Sequence, residues 1–317
     1  MKMSHTMTST PADAASEAFA ALRPLMFSIA YRMLGSVSTA EDLVQEAFLR
    51  YQRALADGAQ IDSPKAYLSA VVTRLAIDEL RSARVRRETY SGEWIPEPLP
   101  TDAEQPDPAA LAEQADSLSL AMLLLLERLT PVERAVFLLH DVFGYRYDEI
   151  APIVERSEAN CRQIAIRARR HVDAGRPRFE ATREAREALA GRFFVAVADG
   201  DVDGLVALLA SDVVVYGDGG GKAPQWSRPI AGADRVARLL ANVGRQVTSR
   251  GGTLQPRSIN GQPGAIVRDP AGRVVSVFAL DIADGAVHTV RSVINPDKLG
   301  HLGPVADVWA LLRGDPG

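Results

Sequence analysis

The segment from Tyr147 to Arg170 constrains the fold of this chain most strongly. Apolar residues recur at helical spacing from Tyr147 to Val154, and Ser157 is a natural N-cap for a second helix after a short turn. The second helix would bury Cys161 and the small apolar residues that follow it on the same side, and its other side is rich in arginine. This pattern predicts a helix-turn-helix whose second helix enters the major groove of DNA.

The polar side of the second helix carries side chains that can bond phosphates or base edges. Its predicted DNA-binding residues are Ser157, Asn160, Arg162, Gln163, Arg167, Arg169 and Arg170. An amphipathic helix with a solvated basic face and no ligand would show the same pattern. The rest of the chain must decide between the two interpretations.

Length and composition set outer limits. The chain has 317 residues, 47% of them hydrophobic, which is enough for two or more domains with packed cores. Its net charge of −4 and its pI of about 5.8 mean that only a local patch can meet phosphate. The single cysteine, Cys161, excludes an intrachain disulfide and a thiolate cluster, as expected in a reducing cytoplasm.

Targeting and metal-binding signals are missing from the sequence. The N-terminal residues lack the apolar core of a signal peptide, and no apolar run is long enough to span a membrane. No cluster of His, Asp and Glu has metal-ligand spacing, so no metal or cofactor is expected. We therefore expect a cytoplasmic protein that has no membrane partner.

Three helices are predicted between Glu17 and Arg87. Ser38 would cap the second helix, with Glu41 at the capping-box position. Ser63-Pro64 would open the third helix, which ends in several arginines. This first block is therefore expected to be entirely helical.

Both helical blocks resemble the extracytoplasmic-function group of sigma factors. LxxLTPxERxVFLLHDVFGY from Leu126 to Tyr145, YDEIA from Tyr147 and RQIAIRARR from Arg162 resemble their region 4, although Pro152 is unusual within the first helix of the pair. AEDLVQEAFLRYQRAL from Ala40 and the following SPKAYLSAVVTRLAIDELRSARVRR resemble their region 2. The resemblance implies region 2 at 17–87 and region 4 at 108–174.

The resemblance also implies roles for region 2. Residues that would grip the clamp helices of core RNA polymerase are Asp42, Leu43, Gln45, Glu46 and Phe48. Residues that would contact the melted −10 element are Tyr67, Arg74, Arg81 and Arg84. An acidic edge beside apolar residues suits a partner coiled coil, and aromatic and arginine side chains suit unstacked bases and phosphates. Many relatives have Asn in place of Arg74, and the docking helix could instead be an ordinary surface helix.

Residues 88–107 form a proline-rich stretch that predicts an extended linker without a core of its own. Trp94 is expected to occupy a pocket, because a large indole is rarely left in a free linker. A plain spacer is the alternative interpretation. The Trp-hydrophobe-PEP motif within ETYSGEWIPEPLP resembles sigma factors of the sigma J type, which carry an additional C-terminal domain.

The pattern after Gly175 changes from helical to mixed. Helices are predicted at Thr182 to Ala198 and Asp234 to Val247, with strands at Val213 to Tyr216 and repeatedly between Thr253 and Ile294. This order, with DGGGK and NPDKL, resembles a SnoaL-like, NTF2-like cone at 182–300, which could hold an unknown small ligand. Asp218 to Lys222 is interpreted as a flexible hairpin. The proposed regulatory residues are Trp94, Pro96, Glu97, Pro98, Asp218, Gly219, Gly220, Gly221, Lys222, Asn295, Pro296, Asp297, Lys298 and Leu299.

The sequence thus predicts a multi-domain protein with two all-α sigma modules followed by an α+β cone. The predicted function is that of an alternative sigma factor with a fused regulatory domain, whose partners are core RNA polymerase and promoter DNA. One alternative is a ligand-sensing one-component regulator, but this would not need an acidic docking helix upstream. Another is residual isomerase or cyclase activity in the cone. Asp218, however, resembles a hairpin residue and not a buried base, and His288 and Asp281 lie on late strands, where a lone His is more often structural or at the surface than catalytic, so no catalytic residue is expected.

Overall fold

The computed structural model describes residues 11–88, 90, 92–101, 118–174, 182–226 and 228–313. The chain divides into two compact units. The first comprises 1–84 and 129–171, and the second comprises 85–128 and 172–317. Among the described residues, no helix is long and apolar enough to cross a membrane.

Helices build the first unit. They are α1 (Pro11–Leu34), α2 (Val37–Ala56), α3 (Pro64–Glu88), α5 (Pro131–Phe137), a π-helix (Leu138–Val142), α6 (Tyr147–Val154) and α7 (Glu158–Asp173). Helix α4 (Leu120–Leu126), which precedes α5 in the sequence, belongs to the second unit. Large side chains such as Tyr31, Leu68, Leu138 and Ile150 are fully buried. The expected all-α character of both helical blocks is confirmed.

The start of α2 differs from the prediction. Its N-cap is Ser36, whose hydroxyl accepts a hydrogen bond from the backbone N–H of Thr39 at 3.2 Å. Ser38 lies inside the first turn, and Glu41 forms an ion pair with an arginine of α1 instead of a capping box. Ser36 takes the cap because Gly35, at φ 66°, ends α1 and leaves Ser36 in the extended conformation that an N-cap needs.

The predicted helix-turn-helix is confirmed. Helix α6 spans the predicted Tyr147–Val154, with Pro152 inside it, and Glu155 makes the turn in the left-handed region at φ 55°. The Ser157 hydroxyl accepts from the Asn160 N–H at 3.3 Å and starts α7. The side chains of α7 expected to be buried are buried, namely Cys161, Ile164, Ala165 and Ala168.

The second unit is built around one mixed sheet. Its strand order is β2-β1-β6-β5-β4-β3, and only the β1–β6 pair is parallel. The strands are β1 (Leu209–Asp218), β2 (Ile230–Ala231), β3 (Thr253–Ile259), β4 (Gln262–Arg268), β5 (Val274–Ala283) and β6 (Ala286–Val293). The helices are α8 (Arg183–Asp199), α9 (Val202–Val206), α10 (Ala233–Ser249) and α11 (Val308–Arg313).

One face of the sheet forms the core of this unit with α8, α9 and α10. Phe193, Leu205, Leu240 and Val290 are fully or almost fully buried there. Register shifts interrupt the β1–β6, β4–β5 and β5–β6 pairs, and irregularities of this kind bend a strand locally and increase its twist. The α+β architecture expected for the C-terminal part is confirmed, although β1 begins at Leu209, earlier than predicted.

The proline-rich stretch is not a free spacer where the structure describes it. It runs along the edge strand β3, with the Asn260 N–H donating to Leu99 O at 2.7 Å and the Thr101 N–H donating to Ser258 O at 2.9 Å. Ile95 is 1% exposed. An extended backbone has no hydrogen bonds of its own, and an edge strand offers unpaired groups that it can bond. Residues 89, 91 and 102–107 of the predicted linker lie outside the described residues.

Candidate nucleic-acid interface and linker-binding site

The basic side chains of α7 line its solvent side. Of the predicted contacts, Ser157, Asn160, Arg162, Gln163, Arg167 and Arg170 are exposed, and Arg169 is half-buried. Arg162 Nη2 lies 3.0 Å from Glu158 Oε2, and its guanidinium carbon lies 5.5 Å from the ring centroid of Tyr147. An exposed i, i+4 pair is weak, so Arg162 can exchange Glu158 for a base or a phosphate at little cost.

Arg169 is held more firmly than Arg162. Its Nε lies 2.6 Å from Asp141 Oδ1, and its side chain is 40% exposed. The hydrogen bond to Asp141 raises the pKa of the Arg169 guanidinium, which therefore stays charged. A guanidinium that is held in one position suits a contact with phosphate better than a contact that must distinguish one base edge from another.

Helix α2 presents a mixed surface. Asp42 and Gln45 are exposed, whereas Leu43, Glu46 and Phe48 are half-buried. Glu46 pairs with Arg50 at 2.7 Å, and the Phe48 ring stacks on Phe19 with centroids 4.1 Å apart. Leu49, which the sequence reasoning missed, is 45% exposed beside these residues. Its place outside the apolar stripe of α2 was the signal for it.

The four predicted −10 residues have different environments. Tyr67 is half-buried beside Tyr51, with ring centroids 5.8 Å apart, and Arg81 forms an exposed pair with Asp78 at 3.0 Å. The side chain of Arg84 lies outside the described residues. Of the three whose side chains are described, Arg74 hydrogen-bonds residues 78 and 79 positions away in the sequence.

Arg74 binds the end of the first helix of the helix-turn-helix. Its Nη2 donates to Pro152 O at 2.7 Å and its Nε donates to Ile153 O at 3.2 Å. These carbonyls lie at the C-terminus of α6, where the helix dipole favours a cation. Two neighbouring bonds join the same blocks, one between the Ser69 and Tyr145 hydroxyls at 2.6 Å and one from Arg134 Nη1 to Met33 O at 2.6 Å. In this conformation the Arg74 guanidinium is already occupied by protein carbonyls.

Asp218 is the centre of a buried polar cluster, which corrects the interpretation of Asp218 to Lys222 as a flexible hairpin. The Asp218 side chain is fully buried at the end of β1. Lys298 Nζ lies 2.6 Å from its Oδ2, and the Ile95 N–H donates to the same oxygen at 2.8 Å. The Tyr90 hydroxyl donates to the other oxygen. A buried carboxylate is stable only with such partners, so the local glycines serve a closed structure rather than a mobile one.

The second half of the cluster comes from the NPDKL segment. Asn295 Nδ2 donates to the Tyr90 hydroxyl at 2.8 Å, and Lys298 Nζ donates to Ile95 O. A Cβ at Gly220, which has φ 58°, would lie 2.2 Å from Asn295 Nδ2, so this position requires glycine. We call Tyr90, Ile95, Asp218, Asn295 and Lys298 the linker latch.

The remaining motif residues surround the latch. Lys298 Nζ lies 4.5 Å from the Trp94 ring and 4.8 Å from the Tyr90 ring, within cation–π range. His301 Nε2 lies 2.8 Å from Pro98 O, and Lys222 pairs with Asp297 at 2.6 Å. Pro96, Glu97, Gly219 and Leu299 are buried, Pro296 is half-buried and Gly221 is exposed. The expected pocket for Trp94 therefore includes a lysine of the C-terminal domain.

Two latch-side residues were missed by the sequence reasoning. Burial, and then the bond to Asp218, raise the pKa of the Tyr90 hydroxyl, which stays a donor. Asn260, at φ 53°, accepts from the Leu99 N–H at 2.8 Å and donates to Leu118 O at 3.0 Å. The signal for Asn260 was the Asn260-Gly261 dipeptide, which favours the positive φ of a hairpin turn.

The two sheet residues considered as bases are not arranged as a catalytic pair. Asp281 forms a buried ion pair with Arg291, and His288 Nδ1 lies 3.8 Å from Asp212. Within the described ranges, no group of three or more His, Cys, Asp or Glu side chains is placed to hold a metal ion.

Comparison with known proteins places these features in a family. Residues 18–86 match the model of Sigma-70 region 2, and residues 119–172 match Sigma-70, region 4. Over 288 residues the chain is 40% identical to the ECF RNA polymerase sigma factor SigJ of Mycobacterium tuberculosis (strain ATCC 25618 / H37Rv), which covers 88% of this chain and 91% of that protein. It is 32% identical over 290 residues to the Probable ECF RNA polymerase sigma factor SigI of the same strain, covering 92% and 96%. The crystal structure of Mycobacterium tuberculosis SigJ aligns with a TM-score of 0.70 and 36% identity, covering 90% of this chain and 98% of that one.

Proposed function

The chain belongs to the extracytoplasmic-function sigma factors of the sigma-70 family, and from this premise we propose which residues read the promoter and how the C-terminal domain controls them. Sigma factors bind core RNA polymerase and promoter DNA, and they are transcription initiation factors rather than enzymes. We place its action in the cytoplasm. We assign region 2 to 17–87, the linker to 88–107, region 4 to 108–174 and the regulatory domain to 182–300.

Helix α7 would read the −35 element. Arg162 would contact a base edge, because its charged partner within the described part of the chain is an exposed glutamate one turn away. Arg169 would contact phosphate, because Asp141 holds it in one place. In region 2, Tyr67 and the arginines of α3 would contact the −10 element. Arg74 would then have to leave the carbonyls of Pro152 and Ile153, so promoter binding would open the first unit.

The acidic side of α2 would bind the polymerase clamp. Asp42→Arg with Glu46→Arg should weaken the binding of core polymerase without loss of fold, since Asp42 is exposed and Glu46 is paired with the exposed Arg50. Glu184→Arg with Glu187→Arg on α8 is the matched control, because both residues are exposed and lie outside region 2. If the folded α2 variant retains core polymerase as the control does in a pull-down, the docking assignment is wrong.

The linker latch carries the regulatory proposal. The linker joins regions 2 and 4 in the sequence, and the buried pair of Asp218 and Lys298 binds its Ile95 backbone on both sides. Whatever holds the linker limits the distances that the two regions can adopt. We infer that the C-terminal domain biases an equilibrium between a closed and a promoter-competent arrangement, which a few kcal/mol can shift.

Transcription in vitro tests this regulation. Full-length protein, a truncation lacking 181–317, a truncation from Asn295 and Trp94→Ala should differ in activity on one promoter with core polymerase. The promoter sequence preferred should not change, and Trp94→Ala should partly reproduce the loss of the domain. Val195→Ala is the control, because this side chain is 61% exposed on α8, away from the latch. Equal activity of all five proteins would make the domain a passenger.

A one-component regulator remains the competing function, and DNA binding without polymerase separates the two. The sigma factor should bind duplex promoter DNA weakly on its own and gain specificity only with core polymerase. Tight, sequence-specific gel shifts by the isolated protein would support the competing function. Asp218 forms an ion pair with Lys298, and Asp281 forms one with Arg291. Because both carboxylates are already bound within the protein, a regulatory role of the domain is favoured over a catalytic one.

A further inference from the structure

Tyr147, the first residue of α6, contacts the second helix of the helix-turn-helix. Its side chain is half-buried, and the guanidinium carbon of Arg162 in α7 lies over its ring, 5.5 Å from the centroid. This distance is within the range of about 6 Å in which a ring face attracts a cation. We propose that Tyr147 is a positioning residue for base recognition, which holds the Arg162 guanidinium in place for contact with one base edge. The proposal rests on the reading of the −35 element by Arg162 that is proposed above.

The ring of Tyr147 is itself held by a second ring. It stacks on His140, with centroids 4.1 Å apart and an angle of 27° between the planes. His140 Nδ1 in turn lies 2.9 Å from the backbone oxygen of Tyr145, two residues before α6. Backbone, imidazole and phenol thus form a chain of contacts that ends at Arg162. A side chain that is already ordered by its neighbours loses less conformational freedom when DNA binds.

Glu158 and Tyr147 hold Arg162 through different parts of the guanidinium. Glu158 accepts from Nη2 at 3.0 Å, and so it occupies an N–H group that a base edge would need. Phosphates repel this carboxylate, and the bond has to break when Arg162 binds DNA. A guanidinium over an aromatic ring uses its face, so its N–H groups stay available for a bidentate contact with a base. The contact with Tyr147 can therefore persist in the complex with DNA.

The hydroxyl of Tyr147 has a smaller role than the ring. The hydrogen bond to Asp141 is the main cause that raises the pKa of Arg169, and the Tyr147 hydroxyl adds a smaller contribution. Asp141 Oδ1 lies 2.6 Å from Arg169 Nε and holds this arginine directly. We therefore expect the ring of Tyr147, and not its hydroxyl, to matter for base recognition.

Base discrimination by the holoenzyme tests the proposal. Fluorescence anisotropy gives the ratio of its affinities for a promoter and for the same promoter with one −35 base pair changed, at each position in turn. Tyr147→Leu should lower this ratio about two- to fivefold at the position that Arg162→Ala relaxes, which is the value of one exposed cation–π contact. Tyr147→Phe should behave like the parent, because the ring is kept. Circular dichroism checks folding, and Tyr147→Met replaces the leucine variant if that variant does not fold.

Phe143→Leu is the matched control. The guanidinium carbon of Arg32 lies 5.5 Å from the centroid of the Phe143 ring, the same distance as in the pair of Arg162 and Tyr147. Phe143 is half-buried in the same unit, but Arg32 is only 4% exposed and is not available to a base edge. This control should keep the base discrimination of the parent.

A double-mutant cycle separates positioning from a general structural effect. Once Arg162→Ala has removed the arginine, adding Tyr147→Leu should not lower discrimination further. The positioning role is wrong if the folded Tyr147→Leu protein discriminates like the parent, weakens all sequences alike, or adds its full loss to that of Arg162→Ala. Equal losses for Tyr147→Phe and Tyr147→Leu would overturn the role of the ring. Failure of Tyr147→Leu alone leaves the proposed role of Arg162 standing, whereas unchanged discrimination in Arg162→Ala overturns both.

Discussion

Helix α7 and the linker latch both depend on charged side chains, but the two regions hold them in opposite environments. The Arg162–Glu158 pair of α7 has side chains 55% and 47% exposed, whereas the Lys298–Asp218 pair of the latch has side chains 9% and 0% exposed. Exposed pairs are worth roughly 0–1 kcal/mol and exchange partners readily. A buried pair cannot lose one member without leaving an uncompensated charge. The exposed pair suits a surface that must accept DNA, and the buried pair suits a contact that must keep the linker bound to the C-terminal domain.

Breaking the latch should have the largest effect. Lys298→Met leaves the buried Asp218 carboxylate without its cation and should lower the free energy of unfolding by about 3–5 kcal/mol. Urea unfolding followed by tryptophan fluorescence measures this. Combining Lys298→Met with Asp218→Asn should recover part of the loss, because no bare charge remains. Arg162→Met is the exposed control and should change stability by less than about 1 kcal/mol. Equal losses for the two single variants would remove the contrast between the regions.

The second-largest effect is expected on promoter recognition by α7. Arg162→Ala should cost about 1–3 kcal/mol of binding at the −35 element and relax its sequence preference, as expected of a base contact. Arg169→Ala should weaken all promoters alike and reduce the salt slope of holoenzyme binding by about 1. Fluorescence anisotropy on matched and mutated −35 elements at several salt concentrations separates the two. Identical, sequence-blind losses would show that Arg162 is not a reading residue.

Arg74 lies between the two extremes, since it is exposed but bonded to helix carbonyls. Arg74→Ala should destabilise the folded chain by about 1 kcal/mol, because two hydrogen bonds to α6 are lost. Arg81→Ala, which breaks only an exposed pair with Asp78, should cost less. Urea unfolding of both variants provides the comparison. A larger loss for Arg81→Ala would argue that the carbonyl contacts do not stabilise the first unit.

The smallest effect concerns the pH dependence of the latch. Tyrosine in an unfolded chain ionises near pH ~10, and burial with the bond to Asp218 raises the pKa of Tyr90 above that value. Its contribution to stability is therefore full below about pH 10 and is lost as pH rises further, with a slope of at most ~1.4 kcal/mol per pH unit. Tyr90→Phe should flatten this loss between pH 10 and 11 and behave like the parent between pH 8 and 9. If the free energies of unfolding of the parent and of Tyr90→Phe follow parallel curves over the whole pH range, the pKa of Tyr90 is not raised by folding.

Local patterns were enough to predict the helix-turn-helix. The bounds of α6, the cap at Ser157 and the buried side of α7 all follow from residues within one or two turns of each other. The same reasoning was wrong for α2, where Ser36 and Ser38 are both good caps. The choice between them depended on how Gly35 ended the preceding helix. Competing local signals are therefore the limit of this kind of prediction.

The amino-acid sequence alone determined the sigma-type helices, the mixed C-terminal domain and the motifs that mark the latch. Only the tertiary structure decided that Asp218 is a buried anchor, since its partners Tyr90, Ile95 and Lys298 are 128, 123 and 80 residues away. Glycines next to a carboxylate predict a loop when only the residues adjacent in the sequence are considered. Burial and pairing depend on which distant groups the fold brings together. A carboxylate that is removed from water is costly unless a cation and hydrogen-bond donors compensate its charge.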